Sequence, residues 1–185
     1  IKWLKDRFSG LQVIGGNIAM PEAARELADV GADAVKVGIG PGSMCTTRII
    51  TGCGVPQLTA IAMCAQALEG TGVPIIGDGG LRTSGDIVKA LAAGASTVML
   101  GSMLSGCLET PGEIQGGRKQ YRGMASKSAQ VSWRGGVPEG MAAEGESRFV
   151  NIKGHVRDAV LEITGGIRSG MSYLNAISVV EIRER

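Results

Sequence analysis

The sequence predicts an α/β chain that supplies about four consecutive C-terminal βα units of a (β/α)8 TIM-type barrel, followed by a flap insertion. Three observations predict it: an internal repeat, short strands of nearly unbroken apolar character, and glycines placed just beyond them. The run Leu11-Gln-Val-Ile-Gly-Gly-Asn17 returns as Val73-Pro-Ile-Ile-Gly-Asp-Gly-Gly80, an offset of about sixty residues that marks a repeated supersecondary unit. At a matching offset, the stretch from Ala24 to Gly38 returns from Lys89 to Gly101. Each copy reads strand, helix, Gly-Ala stop, strand, glycine. Strands that are apolar throughout and followed by helices belong to a parallel sheet buried on both faces.

Taken in order, Ile1 to Phe8 reads as a helix leading into a first strand near 11–15. Pro21 at the first helical position and Gly31 just past the end bound a helix near 21–30. A second strand is expected near 34–38 and a helix near 56–69. The third strand falls near 73–77, then a helix near 83–93 with Thr83 as N-cap and Gly94 at its C-terminal stop. The fourth strand falls near 96–100. A long connection, about 105–150, reads as a flap or loop insertion, and helices are expected near 156–163 and 173–183, with His155 bordering the first. Residues 1–185 form one catalytic, partial-barrel domain in this reading. A whole barrel takes about 250 residues, so the N-terminal half is expected to be missing. An open α/β sheet is the alternative.

Composition narrows the function classes. Nineteen basic and 17 acidic residues give a formal charge of +2 with no basic run, and there are only two each of Trp, Tyr and Phe. Neither a phosphate-backbone footprint nor a stacking platform is present, so nucleic acid is not an expected partner. The four cysteines never form C-x-x-C and His155 is the only histidine, which argues against a zinc site. No apolar run is long enough to span a bilayer, and a soluble, cytoplasmic protein is expected.

In either fold, ligands bind at the C-terminal ends of the strands. Three glycine segments sit there: Gly38-Ile-Gly-Pro-Gly-Ser-Met-Cys-Thr-Thr-Arg48, Gly77-Asp-Gly-Gly80 and Gly101-Ser-Met-Leu104. Two successive glycine turns ahead of helix N-termini suit a phosphate monoester, and Asp78 between them suits ribose hydroxyls. Together they suggest a nucleotide; alternatively the glycines serve only tight turns. Cys53, Cys64 and Cys107 read as inert, whereas Cys45 lies in a Gly/Ser/Thr loop where a thiol can ionise.

The segment Gly38 to Arg48, followed by Gly54-Val-Pro-Gln57, resembles the catalytic loop of the IMP dehydrogenase and GMP reductase family. The similarity continues through Asp78-Gly-Gly80, Gly101-Ser-Met103, Tyr121-Arg-Gly-Met124, Ala143-Glu-Gly145 and Gly165-Gly-Ile-Arg-Ser169. It implies that Cys45 attacks C2 of a purine mononucleotide (GMP, IMP or XMP) while a nicotinamide cofactor, NADP(H) or NAD(H), exchanges a hydride at that carbon. It implies the phosphate on Ser43, Gly80, Ser102 and Tyr121, the ribose on Asp78, and the base on the Met124 backbone and Glu144, with Gly79, Gly101 and Gly123 as further substrate-binding positions. It further implies a potassium-type monovalent cation on the carbonyls of Gly40, Gly42 and Cys45, and a homotetramer.

Within the family, dehydrogenases hydrolyse their adduct with a flap Arg-Tyr pair, and no Arg-Tyr occurs here. Met124 and Glu144 are only twenty residues apart, a short spacing that resembles GMP reductases, as does Gly135-Gly-Val137. Thr47 and Glu144 match the pair that protonates departing ammonia in reductases, but both enzymes can carry these two residues, so they do not decide. Against this, Gly140-Met141 departs from the reductase pattern, and Tyr121-Arg-Gly-Met124 with Arg168-Ser-Gly-Met171 is dehydrogenase-like. The reductase is the first expectation and the dehydrogenase the second. A flavin-dependent barrel and a non-catalytic nucleotide-binding half-barrel are the readings from other classes. Arg134 is expected to be a solvated loop charge, Trp133 a packing anchor, Glu109 and Glu113 surface charges, and Arg122 and Lys127 supports for the phosphate region or solubilising charges.

Overall fold

The computed structural model describes residues 1–185. At its centre lie four parallel strands, β1 (Ile14–Ile18), β2 (Ala34–Val37), β3 (Ile75–Asp78) and β4 (Thr97–Met99), hydrogen-bonded in the order β1-β2-β3-β4. A doubly wound sheet reverses its strand order at a switch point. Four strands in strict sequence carry no reversal, which is barrel topology and removes the open-sheet alternative. Helices α2 (Pro21–Asp29), α4 (Gln57–Ala67) and α5 (Ser84–Ala92) connect successive strands, and α2 packs on α4. Val35, Val37, Ile61, Cys64, Ile75 and Ile87 carry the shared core, each no more than 2% exposed.

The first strand begins three residues later than expected, and Leu11 is exposed. Its glycines are interior rather than terminal. A Cβ on Gly15 would stand 3.0 Å from Leu27 of α2, and one on Gly16 would stand 2.6 Å from the Lys36 carbonyl, so both positions admit a close neighbour instead of ending the strand. Ahead of β1, helix α1 (Lys2–Arg7) is tied down by Lys5, whose Nζ lies 2.8 Å from Asp33. That hydrogen bond, with the Val13 N–H, holds the Asp33 carboxyl below the usual carboxylate range.

The expected helix near 156–163 is longer: α7 runs from Val156 to Tyr173. Gly166 and Gly170 inside it are close-packing positions, since Cβ atoms there would collide with Ser84 and Val88 of α5. The expected final helix near 173–183 reduces to α8 (Glu181–Glu184) after a turn at Leu174 and Asn175. A short helix, α3 (Thr47–Thr51), was not anticipated.

The region expected as a flap loop is structured. Strands β5 (Ile114–Gln115), β6 (Arg118–Arg122) and β7 (Ser147–Asn151) form an antiparallel sheet in that order, with α6 (Lys127–Arg134) between β6 and β7. Gly116 and Gly117 turn the β5–β6 hairpin at φ 55° and 73°, the left-handed pair that a two-residue hairpin needs. The polar strand Arg-Lys-Gln-Tyr-Arg lacks the apolar alternation that sequence reading depends on. Trp133 is 61% exposed rather than an anchor. Glu109 is more than a surface charge: it accepts the Val156 N–H at 2.9 Å and contacts His155 at 3.0 Å, capping α7. The backbone bond from Val156 lowers its carboxyl pKa. No helix is long and apolar enough to cross a membrane.

Candidate functional site

The C-terminal ends of β1, β2 and β3 open into a cavity of about 450 Å³, whose lining includes Asn17, Ser43, Cys45, Asp78, Met124 and Glu144. A second cavity of about 210 Å³ shares Gly42, Ser43, Asp78, Gly79 and Tyr121 with it and adds Gly80, Gly101 and Ser102. Gly40 and Gly123 also border the larger one. The thiol, the substrate-binding residues and the cation-loop residues expected from the sequence therefore meet at one continuous hollow, while Thr47 stands just behind Cys45.

The loop after β2 carries the thiol. Met44 is buried, and its carbonyl accepts the Glu146 N–H at 2.8 Å while the Thr46 N–H donates to the Glu144 carbonyl at 3.0 Å. This short antiparallel bridge seats residues 144–146 directly against Cys45. The Thr47 hydroxyl donates to Glu144 Oε2 at 2.6 Å, and Cys45 Sγ lies 3.1 Å from Thr47 Oγ1. Because the Thr47 hydrogen is committed to the carboxylate, the thiol is the donor in the Cys45–Thr47 contact. The three groups form a directed path for a proton from sulfur to carboxylate. Arg48 fixes the loop from below, donating to the carbonyls of Ile39 and Val55 at 3.1 and 2.6 Å.

At the smaller cavity, the N–H groups of Gly79, Gly80, Gly101 and Ser102 take no part in hydrogen bonds within the protein. Converging unpaired N–H groups make an anion-binding concavity. The expected helix N-termini are not what supplies them. Asp86 closes the start of α5 by accepting from the N–H groups of Arg82 and Thr83, and Gly101 to Gly106 form successive turns instead of a helix. Tyr121 Oη faces this end, 3.4 Å from Ser43 Oγ. A Cβ on Gly101 would stand 2.8 Å from that oxygen, so a side chain there would push the Tyr121 hydroxyl away.

Asp78 is held by two residues that the sequence reading passed over. Lys36 Nζ lies 2.7 Å from Asp78 Oδ2 and Asn17 Nδ2 donates to the same oxygen at 2.9 Å, and Asp78 borders both cavities. A single lysine inside the apolar strand Ala34–Val37, and an asparagine after the Gly-Gly pair of β1, were the available signals. Of the three carbonyls expected to hold a cation, those of Gly40, Gly42 and Cys45, Gly42 O accepts the Cys45 N–H at 3.0 Å, and a carbonyl so engaged retains a second lone pair.

Not every charge of the flap reaches the cavity. Arg134 ends α6, stacks 4.9 Å over the Trp133 ring and donates to Gln130, so it is an ordered helix residue and not a loop charge. Arg122 donates to Ser128 O and Ser132 Oγ within the flap.

The fold and the cavity define a class: a barrel half that presents one thiol and a cluster of unpaired N–H groups to a common ligand. The family model of the IMP dehydrogenase / GMP reductase domain matches residues 1–185, and the chain belongs to that family. It is 47% identical over 196 residues to inosine-5'-monophosphate dehydrogenase of Escherichia coli K12, and 49% identical over 195 residues to that of Aquifex aeolicus. In both cases all of this chain and 40% of the relative are covered, so the chain spans well under half the length of these curated relatives. A crystal structure of GMP reductase C318A from Trypanosoma brucei in complex with guanosine 5'-monophosphate superposes with a TM-score of 0.92 at 47% identity, over the whole of this chain and 40% of that one.

Proposed function

We propose that the chain is the thiol-bearing part of a purine-nucleotide oxidoreductase that uses a nicotinamide cofactor, and that it acts as a GMP reductase. Purine binding is supported by the joined cavities, which offer N–H groups to a phosphate, Asp78 to a ribose and the segment around Met124 and Glu144 to a base. The larger cavity is open beside Met124, which is 77% exposed, and Met124, Ala125 and Glu144 would border a nicotinamide ring there. Such a cofactor supplies hydride transfer at the purine carbon.

The rest falls to the chain's own side chains. Cys45 passes its proton through Thr47 to Glu144, and the thiolate forms a bond to C2 of the guanine as the ring's C=N electrons move to nitrogen. Glu144 now holds the proton, and through Thr47 returns it to the amino group; the ring C=N bond re-forms as the C2–amino bond breaks and ammonia leaves, with Cys45 still bonded to C2. In this reading the carbonyls of Gly40, Gly42 and Cys45 would hold a potassium ion, whose charge would steady the loop, and the active form would be a cytoplasmic homotetramer.

The observation that carries the reductase is the flap. Between Met124 and Glu144 the only arginine available to activate water is Arg134, and it is engaged with Trp133 and Gln130 outside the cavity lining. A second reading, IMP dehydrogenase, is favoured by the curated relatives, which are named as such. Nicotinamide absorbance followed with GMP plus NADPH, and separately with IMP, NAD and potassium, tests the two, with Cys45→Ala beside each. Loss of NADPH absorbance that the mutant abolishes supports the reductase. Gain with IMP establishes the dehydrogenase, and silence in both leaves a nucleotide-binding protein.

A further inference from the structure

The most deeply buried charge in the molecule lies outside this chemistry. Lys119 on β6 is 1% exposed and belongs to none of the ion pairs. Its Nζ donates to three main-chain carbonyls, those of Cys107 at 2.8 Å, Leu108 at 2.7 Å and Thr110 at 2.5 Å. Three acceptors engage all three hydrogens of an ammonium group. A charge buried without a carboxylate is expensive to desolvate and is tolerated only where every donor is satisfied.

What this ammonium joins is specific. Successive turn bonds, from the Leu104 N–H to Gly101 O, the Cys107 N–H to Leu104 O and the Thr110 N–H to Cys107 O, tie these carbonyls back to Gly101 and Ser102, which line the smaller cavity. Along β6, side chains two residues apart share a face, so Lys119 and Tyr121 point to the same side, and Tyr121 Oη forms the facing wall beside Gly101. A second ammonium acts at the other end of the turns, where Lys153 Nζ donates to the Ser102 carbonyl at 3.2 Å and Ser105 Oγ donates to it at 2.9 Å. With its carbonyl so engaged, Ser102 keeps its N–H unpaired.

We propose that Lys119 is a positioning residue for the phosphate subsite: it sets the separation between Tyr121 and the Gly101–Ser102 turn, and so tunes preference for a nucleotide over its nucleoside. The inference rests on the nucleotide reading given above. Lys119 touches no part of the ligand and acts through those two walls.

The test is the ratio of dissociation constants, GMP against guanosine and IMP against inosine, in the full chain and in Lys119→Met. A ratio taken within each variant cancels any general loss of folded protein. The expected outcome is a ratio reduced about tenfold, the size of one misplaced hydrogen bond to a charged group, with nucleoside binding little changed. An unchanged ratio in the variant overturns the proposal alone; equal binding of nucleotide and nucleoside by the unmodified chain overturns the phosphate subsite and the proposal together. Should Lys119→Met not fold, amide hydrogen exchange of the unmodified chain decides. GMP, but not guanosine, is expected to protect residues 102–110 and 118–122 together. Protection confined to the loop around Cys45 overturns the proposal.

Discussion

In the chain from the Cys45 thiol through Thr47 to the Glu144 carboxylate, each hydroxyl or thiol has one acceptor, and removing any link should be visible in turnover. We expect Thr47→Val and Glu144→Gln each to slow NADPH oxidation with GMP about a hundredfold, because the proton then has no route to the departing amino group. Iodoacetamide should reach Cys45 and Cys53, the thiols that are not buried. Peptide mass mapping identifies the modified thiols. Cys64 and Cys107 should stay unmodified in the folded chain, since both are 0% exposed and burial pushes the Cys64 thiol up to about 11. Asp78 gives the second residue-scale prediction. Lys36 and Asn17 share its Oδ2, so Lys36→Met should free the carboxylate to rotate. Calorimetry should show ribonucleotide binding weakened about tenfold and 2′-deoxyribonucleotide binding nearly unchanged.

Helix α5 shows how an element is held in register behind the site. Its Thr83 and Asp86 form a reciprocal capping box, and the same Asp86 oxygen takes the Arg82 N–H. Thr83→Ala is expected to reduce stability by about 1 kcal/mol in denaturant unfolding. The Asp86 carboxyl pKa is lowered, first by the Arg82 backbone bond. A depressed folded-state pKa means that the carboxylate contributes fully above the ordinary aspartate range, and that the contribution disappears as pH falls through the folded value. The stability difference between the unmodified chain and Asp86→Asn should therefore be present at neutral pH and shrink in acid. If the difference persisted unchanged below that range, the carboxylate charge would not be what caps α5. Helix α7 depends on a more distant cap, Glu109, contributed by the turns after β4.

On the scale of the whole molecule, the parallel sheet ends in β1 on one side and β4 on the other, with Ile14 56% and Met99 45% exposed on those strands. Open edges carrying apolar side chains invite pairing. The chain is expected to self-associate or to bind a complementary barrel half, and light scattering coupled to size exclusion measures it. A monodisperse monomer across a wide concentration range would count against that expectation. The same measurement matters for chemistry, because closure of the barrel would cover the side of the cavity beyond β1 and β4.

The repeat, the capping residues Pro21 and Thr83 and the glycines after the strands were enough to specify four βα units in order, because each depends on local backbone geometry. The motif around Cys45 likewise named most of the cavity lining before any distance was known. Other features waited on packing. Gly15, Gly16, Gly166 and Gly170 read locally as places where an element ends, yet they lie inside β1 and α7 because a neighbouring side chain or backbone occupies the space of a Cβ. The flap sheet was hidden by a polar strand whose pairing with β7 exists only across 24 intervening residues, 123 to 146, Glu146 lying opposite Gly123 through one backbone bond. Lys36, Asn17 and Lys119 are ordinary polar residues in sequence. Only the tertiary structure gives them partners, since a buried or half-buried charge is defined by the carboxylate or carbonyls that the fold brings to it.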